Sequence, residues 1–282
     1  MSKGTHETIA KLLAGMKASD IRKGLALAKK TAPRADKKTI KSLFDVLSTL
    51  FYIDPLDRPD LAPLLDEAAV AVARLGPDVI PLLVKELASG DVKAQMVAAK
   101  SLGEMGVAAV EPLIRTYRAH KNAELRSFVL YALGKIEAPE VVRAVPLALE
   151  SARSRDADLR DTAVRALGKF AEAIPAGKIP KSTRARTVDR LRKNLADLHP
   201  GIRAKAVRSL GKLALHGHLT EEERVALERT CNLILGKDEN FEWDRAYLVR
   251  REAEQLLESL QAEANDAARK NTAPGGKARK NA

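Results

Sequence analysis

An all-α fold, wound as an α-solenoid of antiparallel helix pairs, is what this sequence predicts, and three observations predict it. A Pro-Leu pair is followed 21 residues later by Leu-Gly in three blocks: Pro81-Leu82 with Leu102-Gly103, Pro112-Leu113 with Leu133-Gly134, and Pro146-Leu147 with Leu167-Gly168. The internal offset is fixed while the spacing between blocks moves from 31 residues (Pro81 to Pro112) to 34 (Pro112 to Pro146). A rigid unit joined by loops of variable length reads this way. Composition agrees: Ala, Leu, Lys, Arg and Glu dominate, aromatic residues make up 4%, and no alternating strand pattern occurs.

Taken in order, residues 5–53 read as three helices, with Ser19 placed to cap the one beginning Asp20-Ile21. Leu50-Phe51-Tyr52-Ile53 is an apolar cluster suited to the core. Asp54 to Asp60 is a loop, because the residue before each of Pro55 and Pro59 is pushed out of helical geometry. In the repeats, the first half opens with Pro77 or Pro139 at a tolerated first-turn position. A second proline, Pro81 or Pro146, removes an amide and predicts a kink.

The second half shows helical spacing, as in Leu125, Val129, Ala132, Leu133 and in Leu159, Ala163, Ala166, Leu167. Alanines at the inner positions let neighbouring helices approach, and Gly134 and Gly168 suit left-handed caps at the helix ends. The next Leu-Gly, Leu210-Gly211, lies 43 residues beyond Leu167, and the extra length falls in a Pro- and Gly-bearing loop from Ile174 to Ser182. Thr220 with Glu223 forms a capping box. The helix it starts runs to about Gly236, and a last helix from about Asp244 to Ala262. The expected organisation is a helical capping region over 1–60, the regular array over 61–219, a capping helix pair over 220–263, and a disordered basic tail over 264–282.

The stretch from Asp158 to Gly168, preceded by a helix and a tight turn, resembles the HEAT repeat in its short bacterial, phycobilisome-lyase-like form, and the resemblance extends from about Leu61 to Gly211. It implies a right-handed superhelix with the second helices lining the concave side. It also implies an inward arginine, which maps onto Arg126, Arg160 and Arg203, with Gln95 breaking the series. On function the resemblance is almost silent.

Charge is unevenly placed within a net +12. Residues 1–41 carry 11 basic and 3 acidic groups, residues 42–100 carry 5 and 9, Lys181 to Leu219 carry 10 and 2, and residues 220–263 carry 6 and 12. Lys135, Lys169 and Lys212 follow Leu-Gly in three consecutive repeats, and four residues before them stand Tyr131, Arg165 and Arg208 on the same helix face. Lys205 lies beside the third pair. Stacked second helices would align these seven side chains into a basic stripe, partly neutralised by Asp161 and Glu172. Lysines near helix C-termini also complement the helix dipole, without any partner.

Signals for chemistry are poor. Cys231 has no partner for an internal disulfide and is expected as a buried thiol. The five histidines are scattered, and His216-Gly217-His218 reads as a loop pair with no third ligand. HEAT-like di-iron hydroxylases use repeated His-Glu pairs, of which only His6-Glu7 occurs. HEAT-like DNA glycosylases use Trp and Asp, and the single candidate, Trp243-Asp244, stands near the C-terminal end with no second Trp. Phe241, Trp243 and Tyr247 are expected to pack a loop onto the last repeat. Neither a signal peptide nor an apolar span of membrane length is present, so a cytoplasmic chain is expected. The expectation is therefore a non-catalytic scaffold, needing no cofactor or metal, that binds an acidic protein segment through the stripe. Duplex backbone binding by the same stripe is the alternative, and a lyase-type or other enzyme subunit the second alternative.

Overall fold

The computed structural model describes residues 3–15, 17–237 and 242–272. Among the described residues fourteen α-helices follow one another: α1 Lys3–Leu13, α2 Ala18–Thr31, α3 Lys37–Leu47, α4 Ala62–Ala73, α5 Ile80–Leu87, α6 Val92–Glu104, α7 Val107–Ala119, α8 Ala123–Leu133, α9 Val145–Ser151, α10 Ala157–Ala173, α11 Lys181–Asn194, α12 Pro200–Leu215, α13 Glu221–Ile234 and α14 Tyr247–Thr272. Among the described residues there is no strand, only an isolated bridge between Leu235 and Trp243.

The helices pack as two layers. The even-numbered helices from α2 to α14 each touch the next in one continuous row, and the odd-numbered ones lie over them, α5 on α6, α7 on α8, α9 on α10, α11 on α12 and α13 on α14. The architecture is an all-α solenoid, as the period predicts. One apolar core runs the length of the stack between the layers, from Ile9 and Leu25 through Leu102 and Leu133 to Leu256. Each leucine so buried contributes about 1.5–3 kcal/mol.

The proline rule holds where two prolines occur. Pro77–Val79 and Pro139–Ala144 are 3-10 turns that lead into α5 and α9, so the first helix of those repeats is broken as expected. With a single proline, α7 carries Pro112 inside a continuous helix. Asp91, Asn122 and Asp156 cap α6, α8 and α10, each accepting from backbone amides of the first turn. Thr220 and Glu223 form the capping box of α13.

Four expectations are corrected. Ser19 caps nothing, since α2 begins at Ala18 behind Lys17. Tyr52 is half exposed, while Leu50 and Phe51 are buried. Gly134 has φ −70° and Gly168 lies inside α10, so neither is a left-handed cap. The left-handed glycines are those of the turns, such as Gly76 at φ 89° and Gly106 at φ 60°.

Three of the four Leu-Gly glycines serve instead for close approach, whereas a Cβ on Gly134 would meet Lys169 at an ordinary 3.6 Å. A Cβ on Gly103 would stand 2.5 Å from Cβ of Lys135, one on Gly168 would stand 2.5 Å from Oγ of Ser209, and one on Gly211 would stand 2.7 Å from Leu256. At these three positions glycine leaves room for the next repeat to cross closely. Finally, α14 continues to Thr272, so residues 264–272 are helix and not a disordered tail; residues 273–282 lie outside the described residues.

Candidate functional site

The seven stripe residues lie on the even-numbered layer, on α10, α12 and at the C-terminal end of α8, but they divide into two groups. In the first, the Tyr131 ring has Lys135 Nζ at 5.3 Å and the Arg165 guanidinium at 5.1 Å from its centroid. Cations on an aromatic face in this way gain about 0.5–2 kcal/mol. Tyr131, Lys135, Arg165 and Lys169 line one narrow groove of only about 20 Å³ between α8 and α10. No carboxylate pairs with Lys135 or Arg165 among the described residues.

The second group is consumed by ion pairs. Lys205 pairs with Asp161 of α10, and Arg208 Nε donates to Glu252 of α14 at 2.8 Å. Glu172 accepts from Lys169 at 2.6 Å and from Lys212 at 2.9 Å, bridging α10 and α12. Burial alone would raise the Glu172 carboxyl, yet the two lysines outweigh it and hold it below the usual carboxylate range. Burial pushes Lys212 down against the pull of Glu172. Asp161 and Glu172 neutralise this end of the stripe as the sequence suggests. The neutralising role of Glu252 lay beyond sequence reasoning, since it comes from a helix 44 residues away.

A second set of cations runs along the loop edge, where the even-numbered helices begin. Arg126, Arg160 and Arg203 each donate to the carbonyl six residues before: His120 at 2.7 Å, Ser154 at 2.6 Å and Asp197 at 2.9 Å. Arg160 also forks onto Asp197 of the next loop, at 2.6 and 3.1 Å, and Arg203 onto Asp244 of the loop after it, at 2.7 and 2.8 Å. Asp197 and Asp244 in turn accept from the backbone amides of His199 and Ala246, which fixes each carboxylate. These forked, largely buried pairs tie one repeat to the next. Gln95 stands in the arginine's place: its amide donates to Leu87 O at 3.1 Å and to Glu124 of α8 at 3.3 Å, and its Oε1 is buried without a partner.

Comparison with known proteins agrees with this geometry. Residues 80–168, from α5 into α10, match the family model described as HEAT repeats. Over those residues the chain is similar to HEAT repeats. Among solved structures it is similar to Kap121p bound to Nup53p (TM-score 0.58, 12% identity, 94% of this chain and 32% of that one). It is also similar to Kap95p with RanGDP (0.52, 14%, 88% and 36%) and to the complex of CpcE and CpcF of phycocyanin lyase from Nostoc sp. PCC7120 (0.51, 18%, 64% and 98%). At these identities the likeness is one of fold. None of the curated proteins matches the sequence.

Along the stack the arginine series has a member the spacing did not reveal. Arg250 donates to Asp244 O at 2.6 Å, six residues before it, so α14 repeats the motif of α8, α10 and α12. The signal was available in Asp244 to Arg250, which copies Asp197 to Arg203. The aromatic cluster departs from expectation: Trp243 is 60% exposed and Tyr247 68%, so neither ring packs a loop down. Phe241 lies outside the described residues.

Cys231 is buried on α13, where burial pushes its thiol up to about 12, leaving it a poor nucleophile. His218 is buried in the loop after α12 and hydrogen-bonds through Nε2 to Ala171 O at 2.9 Å. A cleft of about 820 Å³, which the sequence did not announce, opens between α1, α3 and the 54–61 loop, with Asp45, Asp54 and Lys93 among its walls. No group of three metal-binding side chains gathers among the described residues, and none of their helices is long and apolar enough to cross a membrane.

Proposed function

We propose that the chain is a cytoplasmic, non-catalytic HEAT scaffold that binds an acidic protein segment on its even-numbered layer, centred on the groove of Tyr131, Lys135, Arg165 and Lys169. In this reading residues 61–219 are the working array and the segments 1–60 and 220–263 close its ends. By the same reading the array bends toward the even-numbered layer, where three glycines allow close crossings, and the groove faces the hollow.

One observation carries the reading. Lys135 and Arg165 flank Tyr131 without a carboxylate partner, whereas Lys205, Arg208 and Lys212 are already engaged. An aromatic ring between two cations offers a carboxylate-bearing side chain both a charge partner and an apolar face. The fold suits the task, as the Kap121p complex with Nup53p and the Kap95p complex with RanGDP are assemblies of protein with protein.

The test is capture from nuclease-treated native lysate on the immobilised full chain and on its K135E/R165E variant. A protein held by the native chain and lost by the variant, with helicity by circular dichroism unchanged, is the expected result. Equal capture by both would move the partner surface away from this groove.

A further inference from the structure

Unpaired positive charge also gathers on α11. Its sequence, KSTRARTVDRLRKN, holds six basic residues and one acidic, the most polar of the described helices. Thr187, Val188, Leu191 and Asn194 are buried, and Asn194 donates to Ala152 O at 3.2 Å, fixing α11 against the end of α9. That orientation leaves Lys181, Ser182, Arg186, Asp189 and Lys193 exposed. Arg184 is held by Glu223 at 2.5 Å, and Arg192 feels the same carboxylate. Lys181 and Arg186 have no partner among the described residues, and Lys193 reaches only Asp189, in an exposed pair at 2.9 Å that is worth little.

Arg190 is the informative member. Burial lowers its affinity for a proton first, and the nearby Arg153 guanidinium adds to the effect, with Asp189 alone opposing. A phosphate docked on this face would offset that repulsion.

We infer that the exposed face of α11 docks on the phosphate backbone of a nucleic-acid duplex. From Lys181 to Lys193 the cations cover about 18 Å of helix at about 1.5 Å per residue, which spans roughly five phosphate steps of one strand at about 3.4 Å each. The face carries no large exposed apolar side chain, whereas a protein interface needs apolar or aromatic anchors. It has no aromatic ring either, and single strands are held by stacking. Cations and a hydroxyl without anchors are what contact to a duplex backbone requires.

Fluorescence anisotropy tests this, using a labelled DNA duplex of about 20 bp and the full chain across a salt series. The native chain is expected to bind with steep salt dependence. The variant K181Q/R186Q/R190Q is expected to bind at least about tenfold more weakly, with the slope of log affinity on log salt reduced by about 0.9 per cation removed. R186E alone, at an exposed and unpaired position that leaves folding intact, is expected to weaken binding in the same direction. K135E/R165E is expected to keep native duplex affinity, so the groove proposal and this one fail separately.

Four results would overturn the inference. Two are failure of the native chain to bind the duplex, and binding by the α11 variant as tight as that of the native chain. A third is equally tight binding of a single strand of the same length, which would call for stacking. The fourth is equally tight binding of polyglutamate, which would assign the face to an acidic protein.

Discussion

Helices α11 and α12 form one repeat and share the basic segment of the chain, yet they use charge in opposite ways. All four cations of α12 meet a carboxylate from another element: Arg203 with Asp244, Lys205 with Asp161, Arg208 with Glu252 and Lys212 with Glu172. On α11 one cation meets a neighbouring helix, Arg184 with Glu223, and Lys193 meets only its own Asp189. The charge of α12 is therefore internal to the stack, joining α12 to α10 on one side and to α14 with its leading loop on the other, while that of α11 faces outward. A count of lysines and arginines places both helices in one basic centre. The position of the carboxylates separates them.

The largest expected effect breaks the α12 side through packing. Gly168→Ala would drive a methyl group to 2.5 Å from Ser209 Oγ and 2.8 Å from its Cβ, forcing α10 and α12 apart at a cost of about 1–3 kcal/mol. Gly201→Ala, on α12 itself, would meet nothing nearer than Asp161 Oδ1 at 3.8 Å and should change stability by no more than about 1 kcal/mol, in the stabilising direction. Urea unfolding of the pair decides whether the Leu-Gly glycine is a packing residue. Equal stabilities would show that the crossing relaxes freely.

A smaller effect contrasts the charges directly. Asp244→Ala would leave the largely buried Arg203 without its carboxylate and should cost about 2 kcal/mol. Arg186→Met on α11, where no partner is lost, should stay within about 0.5 kcal/mol. The combination of Asp244→Leu with Arg203→Met should recover much of the first loss, because neither charge then remains buried alone. Urea midpoints of the three variants check this, and a loss at Arg186 equal to that at Asp244 would erase the distinction between the helices.

The repeat itself was legible, because a fixed interval of prolines, leucines and glycines is local information, and so was the capping box of Thr220 and Glu223. The alignment of Tyr131, Lys135, Arg165 and Lys169 also followed from spacing within and between adjacent repeats. Whether a stripe cation would be free did not follow. Glu252 stands 44 residues from Arg208, and Asp244 stands 41 from Arg203, so the pairing is set by how helices stack and not by periodicity. The glycines misled for a related reason: a glycine needed for φ and one needed for a close crossing look the same in one dimension. The end of α14 was readable in principle. No Gly or Pro occurs between Arg245 and Ala273, and Ala, Glu, Gln and Arg there favour helix. The polar composition of the same stretch points the other way, toward disorder, and local propensity outweighs it up to Thr272.

The smallest expected effect sharpens the same comparison through pH. The fork from Arg203, followed by the amide of Ala246, holds the Asp244 carboxyl below the ordinary carboxylate range. Burial would raise Asp197, but the fork from Arg160 and the amide of His199 carry it below that range as well. In the unfolded chain both return to about 4. Between the two values the unfolded state binds more protons, so stability rises with pH there. Each pair's contribution is complete above about pH 4 and is lost as pH falls through the lowered native values, at no more than about 1 kcal/mol per pair with partial exposure allowed for. Melting temperature tracked from pH 7 downward should therefore fall more gently below about pH 4 in Asp244→Asn than in the native chain. Arg186→Met, which touches no carboxylate, should keep the native slope. If Asp244→Asn also kept it, the fork at the loop edge would not be the link that ties α12 to the repeat after it.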